Sequence, residues 1–162
     1  RHGFYFEGRT AENFKLRTGT WVAVGKLRER LVDSFGGLIR DAVITGENRE
    51  ALGALVVPFL PALREIVGQA ASQMSDEAVI DHPAVKAALA GKLSADQRRA
   101  TGSATRITRL LVIREPLRLD KGEITDKGSL NQRAVLSQRR QLVEDLYAGS
   151  ADVIEIKEEA AA

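Results

Sequence analysis

Two apolar stretches separated by a short polar turn constrain the fold of this chain more than any other feature. Residues 38–46 alternate apolar and polar side chains, and residues 51–59 form a second apolar run. The intervening letters GENRE contain turn-forming residues, so the pattern predicts a β-hairpin. One side of its first strand would carry Leu38, Arg40, Ala42 and Ile44.

Helical and extended patterns alternate around this hairpin. Val24, Leu27, Leu31 and Phe35 recur at helical spacing, and the glycines that follow predict the end of a helix. Further helices are predicted to begin near Pro61 and after Pro83, because proline suits the first helical turn. Short strands with turns at Gly8 and Gly19 are predicted before residue 23, and residues 105–116 are predicted to add a strand to the sheet.

This mixture predicts an α+β fold with a small, mostly antiparallel sheet, an N-terminal β-hairpin and helices packed around the sheet. A chain of 162 residues is long enough for one domain with its own core. We assign residues 1–150 to that domain and residues 151–162 to a tail, which forms a short strand or a disordered end. The chain begins with Arg1 instead of Met, so we expect it to be cut from a longer protein.

Composition removes several classes of function. Cysteine is absent, which excludes disulfides, thiolate catalysis and Cys-based metal sites within this chain. The two histidines, His2 and His82, lack metal-ligand spacing, so no metal site is predicted and His82 is interpreted as a helix-entry residue. Gly25-Lys26 lacks the glycine and hydroxyl residue of a P-loop.

Charge and hydropathy patterns also limit the partners. The formal net charge of +2 is too small to imply a polyanionic partner by itself. The basic pairs Arg98-Arg99 and Arg139-Arg140 lack interleaved aromatic residues, so we predict solvated helix faces and no nucleic-acid binding. No apolar run is long enough for a membrane span and no signal peptide is recognisable, so no membrane partner is predicted. The absence of cysteine favours a cytoplasmic origin, with a cysteine-free secreted domain as the alternative.

The stretch GEITDKGSLNQR, residues 122–133, places one lysine on a glycine-flanked loop before a predicted helix. Ser129 with Gln132 three residues later matches a capping box. Lys127 would extend from this loop as a mobile ammonium group suited to phosphate or carboxylate oxygens in another domain. A solvated turn lysine is the simpler interpretation of the same residues.

Together with GRTAENFKLRTGTWV, residues 8–22, this stretch resembles the C-terminal domain of the AMP-forming adenylating enzymes. These are the acyl- and aryl-CoA synthetases, the peptide-synthetase adenylation domains and the luciferases. The motifs AENFKLRTGTWVAVGKLR and GEITDKGSLNQRAVL are most similar to the feruloyl-CoA synthetase branch, which activates hydroxycinnamate-type acids. The resemblance extends from Gly8 to the helix that ends near Tyr147.

The resemblance implies a role for several residues. Arg9 matches the arginine beside the family's hinge, while the usual hinge acid falls at Ala11, with Glu12 next. The pivot is therefore either Glu12 or defined by the backbone alone. Lys15 and Gly19 match the turn that approaches the thiol tunnel in the thioester step, where a glycine lets the backbone come close to pantetheine.

The resemblance also implies an adenylation lysine, for which we favour Lys127. The family pattern has Pro, Thr and Gly ahead of the lysine, whereas Lys127 precedes its glycine. Lys121, with Pro116 upstream and Gly122 after it, is the alternative. In either case the ammonium group would offset the negative charge that gathers when a carboxylate attacks the α-phosphate.

The implied function is that of the mobile lid of an AMP-forming aryl-acid CoA ligase. Its full-length enzyme would use ATP with Mg²⁺ and coenzyme A, and its partners would be an N-terminal ATP- and acid-binding domain, absent from this chain, and an aryl or acyl acid. We expect no cofactor tightly bound to this fragment and essentially no activity from it alone. A stand-alone α+β module for protein binding or regulation is the alternative.

Overall fold

A computed structural model describes residues 12–156. Arg9 and Ala11, predicted to lie at a hinge, fall outside this range, as does the turn predicted at Gly8. Residues 12–156 form two small sheets and six α-helices, with one short 3-10 helix. No helix in this part of the chain is long and apolar enough to cross a membrane.

The strands are β1 (Phe14–Lys15), β2 (Trp21–Val22), β3 (Ile39–Thr45), β4 (Leu52–Pro58), β5 (Ile107–Val112) and β6 (Ile154–Glu155). The α-helices are α1 (Val24–Phe35), α2 (Leu60–Val67), α3 (Asp76–Asp81), α4 (Pro83–Gln97), α5 (Gln132–Gln138) and α6 (Arg140–Ala148). The 3-10 helix, Gln69–Gln73, lies between α2 and α3.

The larger sheet has four strands in the order β3-β4-β5-β6. The predicted hairpin is confirmed: β3 and β4 pair antiparallel, with Ala42 opposite Val56 and Thr45 opposite Gly53. Helices α2 to α4 connect β4 to β5, so these two strands run parallel, with Leu55 opposite Leu111. The last strand, β6, pairs antiparallel with β5. The sheet is mostly antiparallel, and the predicted α+β fold is confirmed.

Both faces of this sheet are buried. Ala54 and Val56 of β4 belong to the larger core cluster, which also contains the apolar sides of α1 and α4. Leu55, between them, faces the smaller cluster, where Val135 of α5 and Leu146 of α6 pack. Because both faces are covered, β4 is a continuous apolar run instead of an alternating one.

A β-bulge changes the alternation that the sequence predicts for β3. The register shifts between Ile39 and Asp41, so Ile39 joins Ala42 and Ile44 in the larger cluster. The prediction that Arg40 shares their side is wrong, because the bulge leaves Arg40 exposed with its guanidinium carbon 5.3 Å from the Phe59 ring centroid.

Helix ends follow local chemistry, with one correction. The ring Nδ1 of His82 accepts a hydrogen bond from Ala84 N at 3.0 Å, which confirms the helix-entry interpretation of His82. The capping box predicted at Ser129 is wrong. Helix α5 begins at Gln132, and Asn131 caps it by accepting from Ala134 N at 3.1 Å.

Candidate functional site

The loop between β5 and α5 carries both candidate lysines, each in an Asp-Lys-Gly tripeptide at residues 120–122 and 126–128. Residues 114–131 are called the lysine loop below. Both lysines are exposed, and neither makes an ion pair within residues 12–156. The repeat of the tripeptide is a sequence signal that the resemblance alone does not explain.

Lys127 lies at the tip of a tight hairpin formed by residues 124–130, called the lysine hairpin. Ile124 and Leu130 form an antiparallel bridge at its base. Thr125 N donates to Ser129 O at 2.9 Å, and Gly128 N donates to Thr125 O at 2.8 Å. Gly128 adopts a φ of 85°, which closes the turn in a conformation that glycine adopts without strain. The glycine beside Lys127 therefore shapes a defined turn.

Lys121 lies in a different turn, residues 118–123. Gly122 N donates to Leu119 O at 3.1 Å, and Glu123 N donates to Arg118 O at 3.1 Å. These two bonds have the pattern of a Schellman motif, with Gly122 at a φ of 74°. The Arg118 guanidinium also donates to both oxygens of Asp120, at 3.0 and 2.8 Å, and this hydrogen bonding lowers the pKa of the Asp120 carboxyl.

A buried ion pair between Glu123 and Arg139 holds the two turns together. Arg139 Nε lies 2.6 Å from one Glu123 oxygen, and its Nη2 lies 2.9 Å from the other. The carboxylate also accepts from Arg118 N at 3.0 Å. Arg139 in addition donates to the carbonyls of Glu115 and Pro116, at 3.0 and 2.9 Å. The hydrogen bonds from Arg139 hold the pKa of the Glu123 carboxyl below its usual value, although burial acts in the opposite direction.

The prediction that Arg139 lies on a solvated helix face is wrong. Arg139 lies at the junction of α5 and α6, and only 11% of its side chain is exposed. Its partner Glu123 precedes it by 16 residues, so no local pattern marks the pair. Arg99 is half exposed and pairs with Asp33 at 2.9 Å, as expected for a surface residue.

Replacing Glu123 with glutamine is expected to make the free energy of unfolding less dependent on acid pH. The folded-state pKa of Glu123 lies below its usual 4.5, so its ionised form stabilises the fold above that pH and loses this effect as the pH falls through the folded pKa. The stability difference between the wild-type chain and Glu123→Gln should therefore be largest near neutral pH and shrink in acid. Urea unfolding between neutral and acid pH measures it, with exposed Glu29→Gln as the control; a constant difference would contradict the assignment.

A cleft of about 460 Å³ adjoins the lysine loop. Lys121, Arg118 and Arg139 line it, with Leu111 and Leu142 among its apolar residues. Acidic side chains from α3, α6 and the lysine loop also face it, so the cleft carries charges of both signs. Lys127 does not line this cleft. The two lysines therefore have different surroundings, which a sequence comparison of their tripeptides would not reveal.

The N-terminal β-hairpin, formed by β1 and β2 and called the first hairpin, contains Lys15 and Gly19. Leu16 N donates to Thr20 O at 2.9 Å, and Gly19 N donates to Leu16 O at 2.8 Å. Gly19 has a φ of 89°, and a Cβ added there would meet no atom within 4 Å. Lys15 Nζ lies 5.1 Å from the ring centroid of Trp21, whose side chain is 63% exposed.

The first hairpin and the lysine hairpin thus close in the same way. In each, an N–H donates to the carbonyl four residues later, and the third residue of the turn is a glycine with positive φ. The first hairpin is also fixed to the β3–β4 turn, where Asn48 N donates to Lys15 O at 3.0 Å and Arg17 N donates to Arg49 O at 2.9 Å. Both hairpins present an exposed turn on an anchored base.

Glu12, one of the two hinge possibilities, is attached to the domain. Its carboxylate lies 3.6 Å from Arg28, which in turn binds both oxygens of Asp41 at 3.1 and 3.0 Å. The next residue, Asn13, accepts a hydrogen bond from Val24 N at the start of α1. These contacts tie the segment from Glu12 onward to α1 and β3, and the position of the pivot stays a prediction.

The domain that presents these two exposed turns also matches the model of a known protein family. The AMP-binding enzyme C-terminal domain model matches residues 15–151, a range that contains the turns of both hairpins and every lining residue of the cleft except Asp152. The chain belongs to this family. The predicted C-terminal domain of an adenylate-forming enzyme is therefore confirmed, whereas the feruloyl-CoA synthetase branch stays a prediction.

Relatives of this domain are parts of much larger proteins. The chain is 25% identical over 142 residues to the probable acyl-activating enzyme 16, chloroplastic, of Arabidopsis thaliana, a match that covers 87% of this chain and 19% of that protein. It also resembles the adenylation domain of a carboxylic acid reductase from Segniliparus rugosus, solved with AMP and a co-purified carboxylic acid. There the TM-score is 0.64 and the identity 27%, over 88% of this chain and 21% of that one.

A similar domain occurs in a carboxylate reductase from Mycobacterium chelonae, with a TM-score of 0.63, 25% identity, and coverage of 86% of this chain and 20% of that one. The chain thus spans about a fifth of the length of these relatives. Membership in the family does not assign a role to any single residue, so the roles of Lys127, Lys121, Lys15 and Gly19 stay predictions.

Proposed function

We propose that this domain is the mobile C-terminal lid of an ATP-dependent, AMP-forming acid–CoA ligase. The observation that carries the proposal is the pair of exposed turns on anchored bases, one bearing Lys127 and the other Gly19, within a domain of the adenylate-forming family. A lid that serves two successive reactions needs two such surfaces. Each would be presented to the same N-terminal domain at a different stage.

In the first half-reaction, a carboxylate oxygen of the acid attacks the α-phosphorus of ATP. The bond to the β-phosphate oxygen breaks, and pyrophosphate leaves with its electron pair. Lys127 would hold its ammonium group against the carboxylate and phosphate oxygens, offsetting the negative charge of both reactants and aligning them. No proton transfer from Lys127 is required.

In the second half-reaction, the coenzyme A thiol loses its proton to solvent and its sulfur attacks the acyl carbonyl carbon. The bond from that carbon to the phosphate oxygen breaks, and AMP leaves with the electron pair. The first hairpin would now replace the lysine hairpin at the site. Its turn, with Gly19 exposed and no side chain on that residue, would let the backbone approach pantetheine closely. Mg²⁺ would accompany ATP, whose phosphates supply part of its oxygen ligands.

The similarity of the motifs around Lys15 and Lys127 to the feruloyl-CoA synthetase branch supports an aryl acid as the substrate. The N-terminal domain would contain the acid pocket, so this domain contributes to the reaction steps without selecting the acid. The carboxylate reductases to which the chain is similar contain the same kind of domain. The products formed with coenzyme A are therefore the measurement that identifies the acceptor of the acyl group.

The test uses the full-length protein that contains this domain. Pyrophosphate exchange into ATP should depend on added carboxylic acid and be fastest with hydroxycinnamate-type acids, and addition of coenzyme A should yield acyl-CoA and AMP in equal amounts. Chromatography of the products measures both. Failure of every tested carboxylic acid to support exchange would overturn the proposal. Adenylate formation without any thioester would restrict the proposed function to adenylation. The 162-residue chain alone is the control and should release no pyrophosphate.

A further inference from the structure

We infer that Arg139 is a positioning residue for adenylation, which acts through Glu123 to fix the lysine hairpin. The inference rests on the proposed function, because it concerns the delivery of Lys127 to the reacting oxygens. It assigns a role to Arg139, 12 residues after Lys127 in the sequence, that is exerted through the contact with Glu123.

Arg139 joins distant parts of the lysine loop. Its guanidinium donates to the carbonyls of Glu115 and Pro116 at the start of the loop, and to the carboxylate of Glu123 in the middle. The backbone carbonyl of Glu123 then accepts from Asn131 N at 2.9 Å, where α5 is about to begin. One side chain thereby connects the beginning, the middle and, through Glu123, the end of the loop.

The lysine hairpin depends on this anchor because little else holds it. Its own ladder is a single bridge between Ile124 and Leu130, and an isolated hairpin of this size is at best marginally stable in water. Of residues 124–130, only Leu130 is buried, with 8% of its surface exposed, and it packs in the smaller core cluster. The direction in which Lys127 extends is therefore set largely at Glu123 and Asn131, next to the Arg139 contacts.

The same domain offers a matched pair elsewhere. Arg30 binds Asp96 through Nε at 3.0 Å and Nη2 at 2.8 Å, and also donates to the carbonyl of Thr105. Asp96 is fully buried, and 14% of the Arg30 side chain is exposed, close to the 11% of Arg139. The Arg30 pair joins α1 to α4 and makes no contact with the lysine loop. A substitution of Arg30 is therefore a control that distinguishes a general loss of stability from a specific loss of lysine positioning.

The experiment compares Arg139→Lys with Arg30→Lys in the full-length protein. Lysine keeps the charge but cannot reproduce the planar, forked set of donors, so both variants should show a lower melting temperature. Only Arg139→Lys should lower kcat for pyrophosphate exchange, by about tenfold, with KM for ATP and acid unchanged, because a displaced lysine weakens the transition state alone. Thioester formation from supplied acyl-adenylate should be unaffected.

A second comparison links the effect to Lys127. In a Lys127→Ala background, Arg139→Lys should cause no further loss of exchange, since the residue it positions is gone. Equal losses of kcat in Arg139→Lys and Arg30→Lys, or fully additive losses with Lys127→Ala, would overturn the inference. If Arg139→Lys does not fold, Glu123→Gln tests the same contact and should give the same pattern.

Different variants test the lysine role and the positioning role of Arg139. Full exchange activity in both Lys127→Ala and Lys121→Ala would overturn the lysine role in the proposed function, whatever Arg139→Lys does. A defective Lys127→Ala together with a fully active Arg139→Lys would leave the proposed function in place and overturn only the positioning role.

Discussion

Lys127→Ala in the full-length protein is expected to lower the rate of pyrophosphate exchange by about 10²–10³-fold, the usual effect of removing one charge-stabilising donor from a water-excluded site. The thioester step should keep its rate when acyl-adenylate and coenzyme A are supplied, because the lysine hairpin would then have left the site. Exchange at saturating ATP and acid measures the first rate, and chromatographic detection of acyl-CoA measures the second.

Lys121→Ala is the matched control, since Lys121 stands in the same tripeptide one turn earlier in the lysine loop. It should leave both rates nearly unchanged. The structure gives a reason for this difference. Lys121 borders a cleft that also contains acidic side chains, whereas Lys127 lies at the tip of an exposed hairpin. Loss of exchange in Lys121→Ala alone would transfer the role to Lys121. Equal loss of both half-reactions in Lys127→Ala would contradict an adenylation-specific role.

Local patterns predict the parts of the fold that depend on near neighbours in the chain. Helix α1 is amphipathic and ends at Gly36 in the left-handed conformation, as the spacing of Val24, Leu27 and Leu31 predicts. The β3–β4 hairpin and the helix start at Pro83 follow from turn residues and proline in the same way. Each of these features is settled within about four residues, where spacing and capping preferences act.

Local sequence patterns do not predict the contacts between residues that are distant in the chain. The parallel pairing of β4 with β5 crosses three helices, and nothing in either strand specifies its partner. Arg139 next to Arg140 looks like a solvated pair, and only the fold brings it to Glu123. The capping box at Ser129 fails for a related reason: the backbone of Ser129 closes the lysine hairpin, so the helix begins after Asn131 instead.

The structure also changes the interpretation of the two glycines that flank the candidate lysines. From sequence, Gly122 and Gly128 suggest a loop with conformational freedom that carries a lysine outward. Both have positive φ and close hydrogen-bonded turns, so they define the path of the backbone. Movement of Lys127 relative to a substrate would then come from rotation of the whole domain about its hinge, with the lysine hairpin carried as part of an anchored loop.

Gly19→Ala is expected to slow thioester formation by about 10²-fold, because a methyl group placed between the backbone and pantetheine would displace the thiol by roughly an ångström or more. Within the domain itself, the added Cβ would meet no atom within 4 Å. The only cost to the fold is the strain of a positive φ on a residue with a side chain, about 1–2 kcal/mol. Pyrophosphate exchange should therefore be retained.

Gly128→Ala provides the matching variant in the other hairpin, at the equivalent position of a turn with the same hydrogen bonds. Its φ of 85° is close to the 89° of Gly19, and a Cβ there also meets nothing within 4 Å, so both variants should lose similar stability in urea unfolding. Gly128→Ala should instead slow exchange, since it alters the turn that holds Lys127. Reciprocal defects would assign one hairpin to each half-reaction, whereas the same defect in both variants would mean that backbone strain alone accounts for the losses.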